Sequence, residues 1–141
     1  MAEPRVALDI EIPSDVKYIE GAVALATEQC RELHLPPRKC SLNIPVALSE
    51  ALSNAILRGN TEDTKRVVRL RATISDKALV FDIVDEGSGF DLANFKHDPT
   101  TAENLSREDG RGLFLMRKLM DRVERLNENG SGNVIRMTVN R

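Results

Sequence analysis

The sequence predicts an α/β two-layer sandwich: one mixed, mainly antiparallel sheet with helices on one face. Three stretches alternate apolar and polar residues, as strands with one buried face do. Two longer stretches between the first and second of these strands repeat apolar residues at helical spacing. Because strands and helices in these proportions need two packed layers, the 141 residues are expected to form a single domain, 1–141.

The first half of the chain supplies one strand and two helices. Residues 5–12 read as a strand, and Ser14 is the expected N-cap of a helix that ends at "LHLPP". The second helix, 38–58, contains Pro45, so it either kinks there or effectively begins near Asn43. The apolar stripe predicted for the second helix consists of Ile44, Leu48, Ala51, Leu52, Ala55 and Ile56.

The second half supplies the remaining strands and a polar connection. Residues 67–74 and 79–83 are joined by "SDK" and should pair antiparallel. Residues 90–109 have no periodicity and are largely polar, which is typical of a functional lid. "GRGLFLMRKLMD" begins a third helix whose core face is Leu113, Met116, Leu119 and Met120. Strands near 122–127 and 133–139 then flank "NENGSGN".

Composition excludes several classes of protein. The net charge of −2 argues against a general nucleic-acid binder, and one Tyr, four Phe and no Trp argue against a base-stacking surface. The N-terminus has no signal-peptide core, and the apolar run "AVALA" is too short to span a bilayer. Cys30 and Cys40 are too few for a disulfide framework or zinc site and are expected to be reduced thiols. These features predict a cytoplasmic protein.

Three polar residues of the second helix are candidates for chemistry. Glu50, Asn54 and Arg58 are spaced i, i+4, i+8 and form one polar row opposite the apolar stripe. A carboxylate can take a proton from an attacking hydroxyl, and an amide oxygen can ligate Mg²⁺. The alternative is an ordinary solvated helix face.

Acid and glycine residues follow the strand in "VFDIVDEGSGFD". Asp85 could accept a hydrogen bond from an exocyclic amine of adenine, while Gly87 and Gly89 would let the backbone approach a planar ring. Gly110 and Gly112 open a helix whose N-terminus suits phosphates. The alternative is a loose turn. The EF-hand and P-loop patterns are absent.

The order of these motifs resembles the GHKL ATPase superfamily, whose fold is also called the Bergerat fold. The closer resemblance is to its bacterial anti-sigma-factor serine kinases, and it covers nearly the whole chain. "IPSDVKYIEGAVALATEQCRELHLP" resembles the family's first helix, and "IPVALSEALSNAILRGN" its nucleotide-helix motif. The roles that the resemblance implies are a catalytic base at Glu50, a magnesium ligand at Asn54, an adenine-reading acid at Asp85, a first glycine box at Gly87 and Gly89, and a second at Gly110, Gly112 and Leu113.

The chain departs from the family pattern at two positions. Arg58 stands where relatives often carry His or Lys, and its positive charge could still face a phosphate. Gly132-Asn133 replaces the usual Gly-Thr, so we expect weakened or rearranged adenine contacts through Asn133 rather than lost binding.

The predicted lid and the two histidines need separate interpretations. Arg107 and Arg111 are candidates for the γ-phosphate or ordinary solvated charges, and the lid also carries acids at Asp98, Glu103, Glu108 and Asp109. His34 and His97 are interpreted as surface histidines rather than phosphoacceptors.

The resemblance implies a serine/threonine protein kinase of a partner-switching system that uses ATP and Mg²⁺. Its implied substrate is a STAS-domain anti-sigma-factor antagonist, its second partner a sigma factor or other output protein, and its assembly a homodimer. Neither nucleic acid nor a membrane is expected as a partner. Two alternatives remain: a nucleotide-gated module that sequesters a partner without phosphorylating it, and an ATPase fragment of a larger machine.

Overall fold

The computed structural model describes residues 4–86, 114–127 and 133–141. The strands of the described residues are β1 (Arg5–Pro13), β2 (Val67–Ile74), β3 (Ala78–Asp85), β4 (Arg122–Asn127) and β5 (Asn133–Asn140). The helices are α1 (Ile19–Glu32), α2 (Ile44–Asn54) and α3, whose described part is residues 114–119. A 3₁₀ turn (Val16–Tyr18) precedes α1, and π-helical turns (Lys39–Asn43 and Ala55–Gly59) flank α2.

The five strands form one open sheet in the order β1-β2-β3-β5-β4. Every strand pair among the described residues is antiparallel. The predicted two-layer sandwich is therefore confirmed, and the described sheet is antiparallel throughout rather than mixed. Because β5 lies between β3 and β4, the chain passes from β3 to the sheet edge and returns through the predicted final hairpin. This return places Asn133 opposite Asp85.

The core lies between one face of the sheet and the helices. Phe81 and Ile83 of β3 share the buried cluster with Leu48 and Leu52 of α2. All six residues of the predicted α2 stripe are buried, so that prediction is confirmed. Burial of each large apolar side chain contributes about 1.5–3 kcal/mol relative to exposure, which fixes α2 firmly against the sheet.

The helical stretch Lys39–Gly59 is long and apolar enough, by length and composition alone, to cross a membrane. The core helix of a globular domain meets the same criteria. Here Leu48, Leu52 and Ile56 are fully buried in the cluster that contains the sheet residues. The apolar character of this stretch is therefore explained by its place in the core.

Pro45 lies at the start of α-helical geometry in α2. Proline has no N–H and its ring clashes with the carbonyl four residues earlier. The preceding turn is π-helical over Lys39–Asn43, and such a turn shifts the hydrogen-bond register by one residue. The sequence offered a kink or a start near Asn43, and the α-helix does begin directly after Asn43.

The start of α1 differs from the prediction for Ser14. The N-cap of the leading 3₁₀ turn is Asp15, whose carboxylate accepts a hydrogen bond from the Lys17 amide. Ser14 is 1% exposed, and its hydroxyl donates instead to the Arg66 carbonyl. The N-cap prediction was wrong because the hydroxyl donates to a backbone carbonyl that is distant in sequence.

The end of α1 is closed by His34 in a left-handed conformation, with φ 57°. The Leu35 amide donates to the Cys30 carbonyl and the His34 amide to the Arg31 carbonyl, which is the Schellman pattern. His34 is exposed, as expected of a surface histidine.

The loop after His34 brings Cys40 back against α1. Cys30 and Cys40 form a disulfide with Cα atoms 5.6 Å apart. The prediction of two reduced thiols was therefore wrong: two cysteines are too few for a framework, but they suffice for one bond across a tight helix–helix connection.

Candidate functional site

Glu50 and Asn54 lie one turn apart on α2, so both occupy the same face of the helix. Both side chains are partly buried. Within residues 4–86, 114–127 and 133–141, neither the Glu50 carboxylate nor the Asn54 side-chain amide makes a hydrogen bond or ion pair. A carboxylate and an amide that are shielded yet unengaged are available to a proton and to a hard cation, respectively.

Arg58, the third member of the predicted polar row, lies in the π-helical turn after α2. Each residue of a π-helix turns through a smaller angle than in an α-helix, because the hydrogen bonds span five residues. Arg58 is therefore rotated relative to the position that an unbroken α-helix would give it. Its side chain is partly buried and lies at the end of the same helical run as Glu50.

Asp85 is the last residue of β3 and is 6% exposed. The Asn133 side-chain amide lies 3.4 Å from Asp85 Oδ1 and donates to it. This contact follows from the register, because Asp85 and Asn133 are direct partners across β3 and β5. Asn133, the residue at which the chain departs from the family pattern, thus contacts the predicted adenine-reading acid directly.

Gly59 connects the α2 end of the site to Asp85. A Cβ atom added at Gly59 would overlap the Asp85 carboxylate, with Asp85 Oδ1 only 2.9 Å away and Oδ2 nearer still. Only a residue without a side chain leaves room for this approach. The helical run that carries Glu50 and Asn54 therefore ends directly against Asp85, which Asn133 of β5 also contacts.

Seven predicted site residues lie outside the described residues: Gly87, Gly89, Arg107, Gly110, Arg111, Gly112 and Leu113. The predicted lid at about 90–109, with His97, lies outside them as well. Their roles stay predictions. Met116 of α3 and Met120, directly after it, are buried, as expected for the predicted core face.

Sequence reasoning did not single out Gly59 or Asn60, although both touch the site. Asn60 is fully buried, and its side-chain Nδ2 donates to Ser14 Oγ and to the Val67 carbonyl, each at 2.9 Å. A Gly-Asn pair at the end of a helix is typical of an ordinary C-cap. The sequence signal that could have indicated a role in the site is their position immediately after the polar row, where a helix end would meet the end of a strand.

Comparison with known proteins matches residues 12–139 to the histidine kinase-like ATPase domain family. The chain belongs to this family. The match includes every site residue described above, from Glu50 to Asn133. Family membership confirms the predicted superfamily and implies a nucleotide ligand.

Within this family, the chain is similar to anti-sigma F factors and to serine-protein kinases. It is 31% identical to an anti-sigma F factor of Thermoanaerobacter sp. (strain X514) over 97 residues, covering 68% of this chain and 67% of the relative. It is 33% identical to the serine-protein kinase RsbW of Bacillus subtilis (strain 168) over 101 residues, covering 68% of this chain and 62% of the relative.

A longer match extends the similarity over most of the chain. The serine-protein kinase RsbW of Bacillus velezensis is 26% identical over 136 residues, covering 93% of this chain and 83% of the relative. These relatives confirm the predicted anti-sigma factor kinase group and support a serine kinase as the enzyme class.

Proposed function

We propose that this protein is a serine/threonine protein kinase of a partner-switching system. It transfers the γ-phosphoryl group of ATP to a serine of a STAS-domain anti-sigma-factor antagonist. The observation that carries the proposal is the continuity of one helical run. Its Glu50 and Asn54 are unengaged by described residues, and its last residue, Gly59, lies against the buried Asp85.

The described residues fit a magnesium nucleotide. Asp85 has a buried carboxylate that can accept from the adenine amino group, and Asn133 lies beside it. Asn54 offers one amide oxygen, and Mg²⁺ typically takes one or two protein ligands and completes its shell with phosphates and water. Among the described residues no cluster of three His, Cys, Asp or Glu side chains could hold a metal alone. Bound Mg²⁺ would neutralise charge on the phosphates.

Glu50 is the proposed general base. As the substrate serine Oγ bonds to the γ-phosphorus, the bond from that phosphorus to the bridging oxygen of ADP breaks. Glu50 takes the hydroxyl proton, so the products are ADP, phosphoserine and protonated Glu50. Catalysis of phosphoryl transfer depends mainly on position and charge, and α2 supplies position because its opposite face is fixed in the core.

The proposed partners follow from the names of the relatives. The similarity to anti-sigma F factors supports a sigma factor, or an equivalent output protein, as the partner that this kinase sequesters. A homodimer without nucleic-acid or membrane partners completes the proposal.

The test is transfer of radiolabelled γ-phosphate from ATP·Mg²⁺ to STAS-domain proteins encoded in the same genome. We expect label on one serine of one such protein. Glu50→Gln removes the base while keeping the size of the side chain, so transfer should fall by about 10²–10⁴-fold. The dissociation constant for ATP, measured by titration calorimetry, should stay within about threefold.

Glu28→Gln is the matched control, because Glu28 is an exposed residue on α1 and should leave both quantities unchanged. Equal loss of binding and transfer in Glu50→Gln would contradict the assignment of the base. Measurable ATP binding without transfer to any STAS protein would favour the nucleotide-gated sequestering module instead.

A further inference from the structure

The pairing of β2 with β3 stops before the strands end. Its last pair is Arg69 with Val84. Continuing this register by two residues would place Val67 opposite Glu86. The side-chain amide of Asn60 lies there instead: its Nδ2 donates to the Val67 carbonyl at 2.9 Å, and its Oδ1 accepts from the Glu86 amide at 2.8 Å.

The Asn60 carboxamide therefore replaces a peptide group between the two strands. The Glu86 carboxylate completes the bridge by accepting from the Val67 amide at 2.7 Å. Asn and Asp have side chains of similar shape, but only Asn can donate and accept hydrogen bonds at the same time, because an ionised Asp carboxylate only accepts. Because Asn60 is fully buried, truncation of its side chain would remove both of these hydrogen bonds and leave a space between the strands.

The turn that contains Asn60 also packs against the Asp85 carboxylate, through Gly59. Gly59 precedes Asn60 and leaves the space that the Asp85 carboxylate occupies. Two backbone hydrogen bonds close the turn: the Asn60 backbone amide donates to the Ala55 carbonyl and the Glu62 backbone amide to the Ile56 carbonyl, both at 2.8 Å. Gly59 and Asn60 thus constrain the side chain of Asp85 and the peptide that follows it.

We propose that Gly59 and Asn60 are positioning residues for nucleotide selectivity, which hold the Asp85 carboxylate where it reads the 6-amino group of a purine. Neither needs to touch the nucleotide. Gly59 sets the depth of the carboxylate by leaving it room, and Asn60 fixes the direction in which the chain leaves β3. The inference rests on the proposed function, because it takes Asp85 as the residue that reads adenine.

A comparison of nucleotides with and without the 6-amino group distinguishes the positioning role from a general effect on stability. ATP carries a 6-amino group that can donate to Asp85, whereas inosine triphosphate carries an oxygen that cannot. A change that only weakens the fold lowers the binding of both nucleotides equally. A change that displaces Asp85 lowers the binding of ATP and leaves that of inosine triphosphate nearly constant.

The experiment measures dissociation constants of the full chain for both nucleotides, with Mg²⁺, by titration calorimetry. Hydrogen bonds to charged groups predict that the wild type prefers ATP by about ten- to hundredfold. In Gly59→Ala and in Asn60→Ala we expect this preference to fall to about threefold or less. Asn60→Asp, which cannot donate to the Val67 carbonyl and so cannot complete the bridge, should lose the preference as Asn60→Ala does.

Each variant has a matched control in the same chain. Gly21→Ala makes the same change on α1, where a Cβ would meet nothing within 4 Å, and should keep the full preference. Ser14→Ala removes one acceptor of the Asn60 side-chain amide but leaves the bridge from Val67 to Glu86. It should lower the melting temperature without changing the preference. Thermal melts give the folded fraction by which each affinity is corrected.

The outcomes separate the inference from the proposed function. A wild type that prefers ATP, together with Gly59→Ala and Asn60→Ala variants that keep this preference, would overturn the positioning role alone. A wild type that binds both nucleotides equally, or neither, would overturn the adenine-reading role of Asp85 and the inference with it. Loss of preference in Ser14→Ala equal to that in Asn60→Ala would also overturn the inference, because the effect would then track stability.

Discussion

Two aspartates on opposite faces of the sheet meet their partners in opposite surroundings. Asp9 of β1 lies on the outer face and accepts from Arg69 Nε at 2.7 Å and Nη2 at 2.6 Å, with Arg71 also in reach. Asp85 of β3 lies on the helix-facing side, 6% exposed. Among its contacts are a neutral amide at 3.4 Å and a glycine that makes room for it.

The two carboxylates differ in exposure: Asp9 pairs with arginines at the surface, and Asp85 is buried at the end of a strand. An exposed acid with two arginines is well solvated, and such pairs contribute little to stability. Burial of an acid costs free energy unless hydrogen bonds or charges compensate for it. The Asp9 cluster follows from ordinary cross-strand pairing of opposite charges, whereas a buried acid at the end of a strand is typical of a functional site.

The largest expected effect on ATP binding is at Asp85. Asp85→Asn replaces an oxygen acceptor by an amide and should weaken ATP binding by about 10–100-fold, the equivalent of 1.5–3 kcal/mol for a charged hydrogen bond. Asp9→Asn makes the same chemical change on the outer face and should leave the ATP dissociation constant unchanged. Similar losses in both variants, by titration calorimetry, would remove the distinction between the two faces.

A smaller effect is expected at Asn133. Asn133→Ala removes the amide that donates to Asp85, and the neutral partner and long distance predict a loss of ATP affinity of about two- to tenfold. Thr138→Ala is the control, since Thr138 lies on the same strand opposite Val80, on the outer face. An unchanged dissociation constant in Asn133→Ala would show that Asp85 does not depend on this contact.

The smallest effect concerns the stability of the outer face. The hydrogen bonds from Arg69, assisted by Arg71, lower the pKa of Asp9 from 3.8 to about 2. A lowered pKa in the folded state means that this carboxylate contributes stability above pH 3.8 and loses the contribution as the pH falls to about 2. Urea unfolding should therefore show a small deficit for Asp9→Asn at pH 7 that disappears near pH 2.

Salt gives a second measurement of the same pair. Because exposed charges are screened, the deficit of Asp9→Asn should also shrink in about 1 M salt. A deficit that is constant with both pH and salt would mean that Asp9 stabilises the fold through packing rather than charge.

Periodicity predicted the strands, the α2 stripe and the layer arrangement, because burial on one face is written directly into the residue pattern. The spacing of Glu50 and Asn54 on one face followed from the same geometry. Long-range choices could not be read in this way. Ser14 bonds to Arg66 rather than capping a helix, and Cys30 and Cys40 meet only because α1 and α2 are joined by a tight loop.

The importance of Gly59 and Asn60 was equally hidden in the sequence. Their local pattern is that of a helix end. Their further role comes from the end of β3, which lies 25 residues after Asn60 in the chain. Contacts of this kind depend on strand register and on which backbone groups remain unpaired. Neither the strand register nor the set of unpaired backbone groups can be read from a short window of residues.

The most direct test of the central claim is the single-turnover rate of phosphate transfer as a function of ATP concentration. The claim assigns binding to Asp85 and proton transfer to Glu50. At saturating ATP·Mg²⁺, Asp85→Asn should therefore recover a rate close to that of the wild type, while Glu50→Gln should stay about 10²–10⁴-fold slower at every concentration. Recovery of Glu50→Gln at high ATP, or none in Asp85→Asn despite full occupancy, would contradict this division.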